Sequence, residues 1–275
     1  MKHRFSLTFI TPCFCRGADS SDSGQPEIRP ASIRGQLRWW FRLLGNSFAD
    51  ECEIFGSVKD GSRASKIVVR VDYDHLETAS IATLPHKENS RNGFPSRKKA
   101  FVAGSGFELI VSSRYGGLND NLAKKFDSAL QAWLHLGALG LRCTRGAGNF
   151  TWEGQSADLG EYRKTVESFG LETFFLAKNY KTAEEARADI CDTLSEGAFS
   201  DCGYPLGRIK PKRKTSPLRF RIVKLGVQCF RIVAIWDHRE DVTENTEEQL
   251  FRAVEKLKHS KKPIGTQLYE AGCKM

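Results

Sequence analysis

EIRPASIRGQLRWWFR, residues 27–42, holds two patterns within one helix. At about 100° per residue, Ile33, Leu37, Trp40 and Leu44 fall in one narrow sector, which reads as a buried stripe. Arg34, Arg38 and Arg42, spaced by four, form a basic row roughly 90–160° away. Ser32 as a cap and Gly45-Asn46 as a stop predict a helix over 32–44. Like charges one turn apart repel, so the row gains nothing from water alone, whereas guanidinium forks match phosphate oxygens bidentately. The row is therefore either a solvated face or a rail for a polyanion. Trp39 points away from the apolar stripe; it either offers a face for base stacking or is covered by the second half of the chain. Pro30 holds Arg29 extended before the helix. Gly35, unfavourable in a helix interior, suits close approach of another backbone or close packing against a second helix.

The flanking sequence sets this helix in an α+β fold. Phe5, Leu7 and Phe9 alternate with Ser6 and Thr8, predicting a strand over 4–10. A polar connection over 11–30 is long for a structureless loop and so a candidate functional one. Strands are expected at 67–71 and over 101–112, the latter interrupted at Gly104 and Gly106, with a helix over 122–141. Further on, helices are expected at 159–169, 182–196 and 244–258. Paired strands are expected at 218–223 and 227–236, turning at Lys224-Leu225-Gly226. This order suits antiparallel sheets with helices on one face, in two modules, 1–155 and a smaller 156–275.

After the second long helix comes GALGLRCTRGAGNF, residues 137–150. Glycine lets a backbone approach phosphates that a β-carbon would block, so Gly146 and Gly148 with Arg142 and Arg145 are candidate phosphate contacts. The segment fits neither a dinucleotide fingerprint nor a Walker A loop, and a tight helix-to-strand turn is the structural alternative. Lys98, Lys99, Lys212 and Arg213 either join the candidates as further basic residues of the groove or are solvated loop charges. Charge favours the same partner: 42 Lys and Arg against 33 Asp and Glu give a formal net charge of +9. Residues 1–150 carry 21 basic and 14 acidic side chains, and 204–225 carry eight basic and none acidic.

Eight cysteines without a CxxC pair imply neither a disulfide framework nor a zinc cage, and reduced thiols are expected. No run reaches the ~18 apolar residues of a membrane helix, and the first residues lack the apolar run of a secretory signal.

Together these segments resemble the RAMP superfamily of CRISPR–Cas proteins, most closely the first RAMP subunit of type III-B (Cmr) RNA-targeting effector complexes. The resemblance rests on Thr11-Pro12, Gly17-Ala18-Asp19 and above all residues 27–42 with their I-R-G-x-L-R-aromatic-aromatic-x-R run. Ile54-Phe-Gly56, the arginine–glycine loop at 141–150 and Ser216-Pro-Leu218 add to it. Where the family's loop places an aromatic between its two glycines, this chain has Ala147. The resemblance implies two ferredoxin-like (RRM-like) modules in a cytoplasmic ribonucleoprotein of antiviral defence. It further implies contacts to guide RNA (crRNA) and target RNA near the guide 3′ end, and to neighbouring RAMP subunits. Arg29, Arg34, Arg38, Trp39 and Arg42 would be its helix contacts, and Arg142, Arg145, Gly146 and Gly148 its loop contacts. Such binding reads backbone, because guide–target pairing reads sequence.

No catalysis, cofactor or membrane partner is expected. Some RAMP subunits cleave RNA with a divalent metal and an acidic residue after the first strand. Asp19 and Asp22 occupy that place here and are weak metal candidates, or else turn-capping residues. A protein–protein scaffold whose basic surface only steers assembly is the remaining alternative.

Overall fold

In a computed structural model, residues 1–17, 24–58, 61–73, 76–85, 96–114, 116–194, 216–244 and 246–258 are described. The chain opens with β1 (Lys2–Phe9), α1 (Pro30–Leu43), α2 (Phe48–Phe55) and β2 (Ile67–Asp72). Next come β3 (Thr78–Ala82), β4 (Arg97–Phe101), β5 (Gly106–Ser113), α3 (Asp120–Leu136) and β6 (Phe150–Trp152). The order β2-β5-β1-β6, antiparallel throughout, gives β1-α1-β2-β5-α3-β6 the βαββαβ topology of a ferredoxin-like module. The hairpin β3-β4 is inserted between β2 and β5 as a separate two-stranded sheet.

Alternation along β1 does what its sequence predicts. Phe5, Leu7 and Phe9 are buried, and Arg4 and Thr8 stay exposed. Against that buried face lie Ile33, Leu37, Trp40 and Phe41 of α1 and Phe126, Leu130 and Trp133 of α3. Each such side chain contributes about 1.5–3 kcal/mol on burial. The helix α1 begins two residues earlier than its sequence suggests. Pro30 takes the first position, where its missing N–H costs nothing, and the N-cap Arg29 makes no side-chain cap bond, so Ser32 is not the cap. The helix α3 ends at Leu136, five residues before the expected end, with Gly137 as its C-cap. A β-carbon on Gly137 would run into the Trp133 side chain and carbonyl, so only glycine allows this departure.

The second half contains α4 (Leu159–Glu167), β7 (Thr173–Phe175), α5 (Ala183–Thr193), β8 (Leu218–Gly226), β9 (Cys229–Trp236), α6 (Glu240–Thr243) and α7 (Glu247–Lys258). Its sheet order is β7-β9-β8, and α5 packs on β8 and β9. Among the described residues this is the βαββ part of a ferredoxin-like module, not the whole of one. The β8–β9 turn falls at Val227-Gln228, with Gln228 at φ 56°, two residues beyond the expected turn.

The two sheets are not separate bodies. One apolar cluster runs from Phe5 and Trp133 through Tyr162 and Phe175 to Val223 and Ile235. Arginines fasten the seam. Fully buried Arg221 donates from Nη1 to Asn149 Oδ1 (2.9 Å) and from Nη2 to the Phe150 carbonyl, and burial pushes its pKa down to about 10. Buried Arg187 of α5 donates to the carbonyls of Ala82 (3.2 Å) and Thr83 (3.1 Å) beside β3.

Candidate nucleic-acid interface

The segment after β1 is pinned on both sides. Cys13 exchanges two 3.0 Å backbone bonds with Phe101 of β4, and the Leu141 N–H donates to the Phe14 carbonyl (3.0 Å). The loop after α3 is knitted to the same strand: Gly148 N–H donates to Pro12 O (2.9 Å) and Asn149 N–H to Thr11 Oγ1 (2.9 Å). This lacing leaves a cleft of about 470 Å³ between the first turn of α1, β4 and the loop. Arg29, Ser32 and Ile33 line it from α1, Lys98 from β4, Cys15 and Arg16 from the segment after β1, and Gly140 and Leu141 from the loop. Its wall is basic with one carboxylate, Glu27. The first turn of α1 contains no acid, so the positive end of its dipole is not offset locally.

The arginine row divides at its middle. Arg38 Nε donates to Glu51 Oε1 at 2.7 Å, and Arg42 Nε lies 3.1 Å from Glu51 Oε2 without hydrogen-bond alignment. Glu51, on α2, is 1% exposed. Arg38 and Arg42 thus share a buried carboxylate of the same chain through Nε, which ties their charge locally while their side chains stay 36% and 45% exposed. Arg34 is different. Exposed and without an ion pair to any described residue, it stands between two hollows. One has Arg114 on its wall, and the other, of about 480 Å³, has Phe48 and Arg63. Phe48 is 55% exposed, while Arg63 is tied to Glu53 at 2.6 Å.

Glu51→Ala tests this division. Losing a charge-assisted bond costs about 1.5–3 kcal/mol, so the variant should melt several degrees lower. Its RNA affinity should hold or rise, because two arginines are released; a fall in affinity in a folded variant would mean that Arg38 and Arg42 make contact while tied to Glu51.

Trp39 is half-buried, with the Arg219 guanidinium 3.6 Å above its ring and Arg239 at 5.5 Å. Arg219 of β8 thus occupies one face of the ring, which alongside its expected base-stacking role gives Trp39 a part in seating an arginine of the second sheet. Trp39→Ala should lower stability by about 1–2 kcal/mol or more, read by thermal melting. An unchanged melt with weakened RNA binding would leave base stacking as its role.

Gly146 (φ 75°) and Gly148 (φ 63°) are both buried. A β-carbon on Gly146 would sit 2.9 Å from Ile190 Cδ1, and one on Gly148 would overlap the Leu139 carbonyl. They let the chain pack on itself, so direct phosphate approach at these two glycines is corrected. Gly35, by contrast, has nothing within 4 Å of its β-carbon position, so packing on a helix of this chain is not its reason. Arg142 and Arg145 lie half-buried in one tight turn, closed by Arg145 N–H to Arg142 O (2.8 Å), with Arg142 left-handed at φ 63°. Burial first, and then the neighbouring Arg142 charge, lower the pKa of Arg145.

The structure therefore brings Arg29 and Lys98 into one cleft; Arg142 follows its Leu141 wall in sequence, whereas Arg145 lies against Phe220 and Cys191 of the second half. Lys99 alternates away from Lys98 along β4 and does not line the cleft. Lys212, Arg213, Asp19 and Asp22 lie outside the described residues. Among the described residues, no group of three or more His, Cys, Asp and Glu side chains is arranged to hold a metal ion, and no helix is long and apolar enough to cross a membrane. Sequence reasoning missed Arg16, Phe48, Arg114 and Glu51. The signal for Glu51 was present in Ser47-x-x-Asp50, where the Ser47 hydroxyl accepts from Asp50 N–H (3.1 Å) and starts α2.

The sequence model of the RAMP superfamily matches residues 6–151. The CRISPR system Cmr subunit Cmr1-2 of Pyrococcus furiosus is 28% identical over 181 residues, covering 53% of this chain and 91% of that protein. Subunit Cmr1-1 of the same organism is 27% identical over 165 residues, covering 54% of this chain and 46% of its own length. In fold, the chain is similar to apo Cmr1 from Pyrococcus furiosus, with a TM-score of 0.55 and 19% identity over 86% of this chain and 88% of that one. A chain of the type III-B Cmr-beta complex bound to cognate target RNA gives a TM-score of 0.60 at 11% identity, covering 92% and 98%. At these identities the structural likeness is one of fold.

Proposed function

The chain belongs to the RAMP superfamily, and on that ground we propose that it is a non-catalytic, RNA-binding subunit of a cytoplasmic type III-B CRISPR ribonucleoprotein. In this reading it contacts the backbone of guide and target RNA near the guide 3′ end and abuts other RAMP subunits. Similarity to the two Cmr subunits of Pyrococcus furiosus, and the shared fold with a chain of a target-RNA-bound Cmr complex, support the setting. One observation carries the binding role: the cleft in which Arg29, Lys98 and Arg16 meet the backbone of the loop after α3.

Such a wall suits a ribose–phosphate strand read without regard to base. Guanidinium and ammonium groups supply the attraction. Arg34 adds a second basic point on α1, facing other hollows, and Phe48 beside it offers an exposed ring.

The test is binding of unrelated single-stranded RNAs to the purified chain over a range of salt. The expected outcome is affinity that falls steeply with salt and differs little between sequences. Salt-insensitive association with other subunits, and no RNA affinity, would favour a scaffold. Metal-dependent cleavage of guide-paired RNA, lost in Asp19→Ala or Asp22→Ala, would overturn the non-catalytic assignment.

A further inference from the structure

We propose that Cys13 and Cys15 are a peroxide-oxidisable thiol pair in the wall of the cleft, Cys15 reacting first and Cys13 closing the disulfide. This goes beyond RNA binding and does not depend on it. Along extended backbone, residues two apart share a side, and the backbone bonds of Cys13 and Phe14 to Phe101 and Leu141 hold that conformation. The two Sγ atoms are 3.2 Å apart. Environment then separates their roles. Cys15 lines the cleft, where a small oxidant arrives, beside Arg29. Cys13 is fully buried behind it, with its Sγ 3.6 Å from the Leu139 carbonyl.

The titration behaviour agrees with this division. The hydrogen bond from Cys13, opposed by desolvation and helped by the Arg29 charge, holds the Cys15 thiol below its ordinary pKa, whereas burial pushes Cys13 well up. Cys143 and Cys191 are likewise pushed up by burial.

The chemistry balances with a hydroperoxide as oxidant. The Cys15 thiolate attacks one peroxide oxygen and the O–O bond breaks. Cys15 becomes a sulfenic acid, and the other oxygen leaves with a proton as water or an alcohol. The Cys13 sulfur then attacks the Cys15 sulfur. The hydroxyl departs with the Cys13 proton as water, and the S–S bond forms. Two electrons have passed from the thiols to the peroxide.

Trypsin isolates the pair, because residues 5–16, bounded by Arg4 and Arg16, hold these two cysteines and no others. The full chain, free of RNA and reductant, is exposed to stoichiometric hydrogen peroxide, alkylated with iodoacetamide, digested and weighed. The expected product is peptide 5–16 two hydrogens lighter and unalkylated, formed before the Cys143 or Cys191 peptides change, and reversed by a dithiol. Cys13→Ser should stop the reaction at a Cys15 sulfenic acid that dimedone traps, and Cys15→Ser should leave Cys13 unoxidised. A peptide 5–16 that is still doubly alkylated, a crosslink to the Cys143 peptide, or oxidation of Cys13 in Cys15→Ser would each overturn the proposal.

Discussion

Gly148→Ala leaves no folded protein: expression should yield aggregate, and any soluble fraction should lack a cooperative melt. Gly148 sits at φ 63°, where a β-carbon is strained by about 1–3 kcal/mol. The greater cost is steric, since that carbon would overlap the Leu139 carbonyl, which is backbone and has no rotamer to change. Nor can the strand slide, because Leu139 N–H donates to Gly148 O (2.9 Å) and Gly148 N–H to Pro12 O (2.9 Å). A single-site loss beyond about 4–5 kcal/mol is exceptional, and here it would remove most of the roughly 5–15 kcal/mol typical of a domain. Gly35→Ala is the matching control. With open space around its β-carbon it should gain about 1 kcal/mol of helix stability. If a nucleic-acid backbone approaches that spot, the same variant should bind RNA more weakly while melting higher. A native-like melt for Gly148→Ala would overturn the account of the loop.

The largest effect on binding is expected from Arg29→Ala combined with Lys98→Ala. Each phosphate contact contributes about 0.7 to the slope of log affinity against log salt on a single strand, so losing two should flatten it by about 1.4. Affinity near 0.1 M salt should drop about tenfold to a hundredfold, by similar factors on unrelated sequences. Arg38→Ala should move stability more than slope, because its guanidinium already serves Glu51. Should the double variant keep its slope while Arg38→Ala and Arg42→Ala lose theirs, the contact surface is the row and not the cleft.

Sequence periodicity reached the elements whose pattern is long and regular. β1 and α1 were legible because Phe5, Leu7 and Phe9 alternate and Ile33, Leu37 and Trp40 recur at helical spacing. The eight-residue α2, the three-residue β6 and β7 and the hairpin strand β3 are too short to show a period, so they were not. At 101–112 the sequence reads as one interrupted strand; the break at Gly104 instead separates two strands of different sheets, β4 and β5. For the site, local pattern could place charge but not its partner. That Arg38 faces a carboxylate thirteen residues on, and Trp39 an arginine 180 residues on, depends on tertiary packing alone. Gly146 and Gly148 were correctly marked as special. Their reason, packing inward and not outward, lies in Ile190, Ile222 and Leu139, which no spacing rule brings near.

The apolar cluster running unbroken from Phe5 to Ile235, with Arg221 laced into carbonyls across it, means that no hinge lies between the two sheets. Tilting one against the other would expose aromatic rings and strip acceptors from a desolvated cation. Among the described residues the two sheets therefore move as one body, and a load placed on either is carried by both.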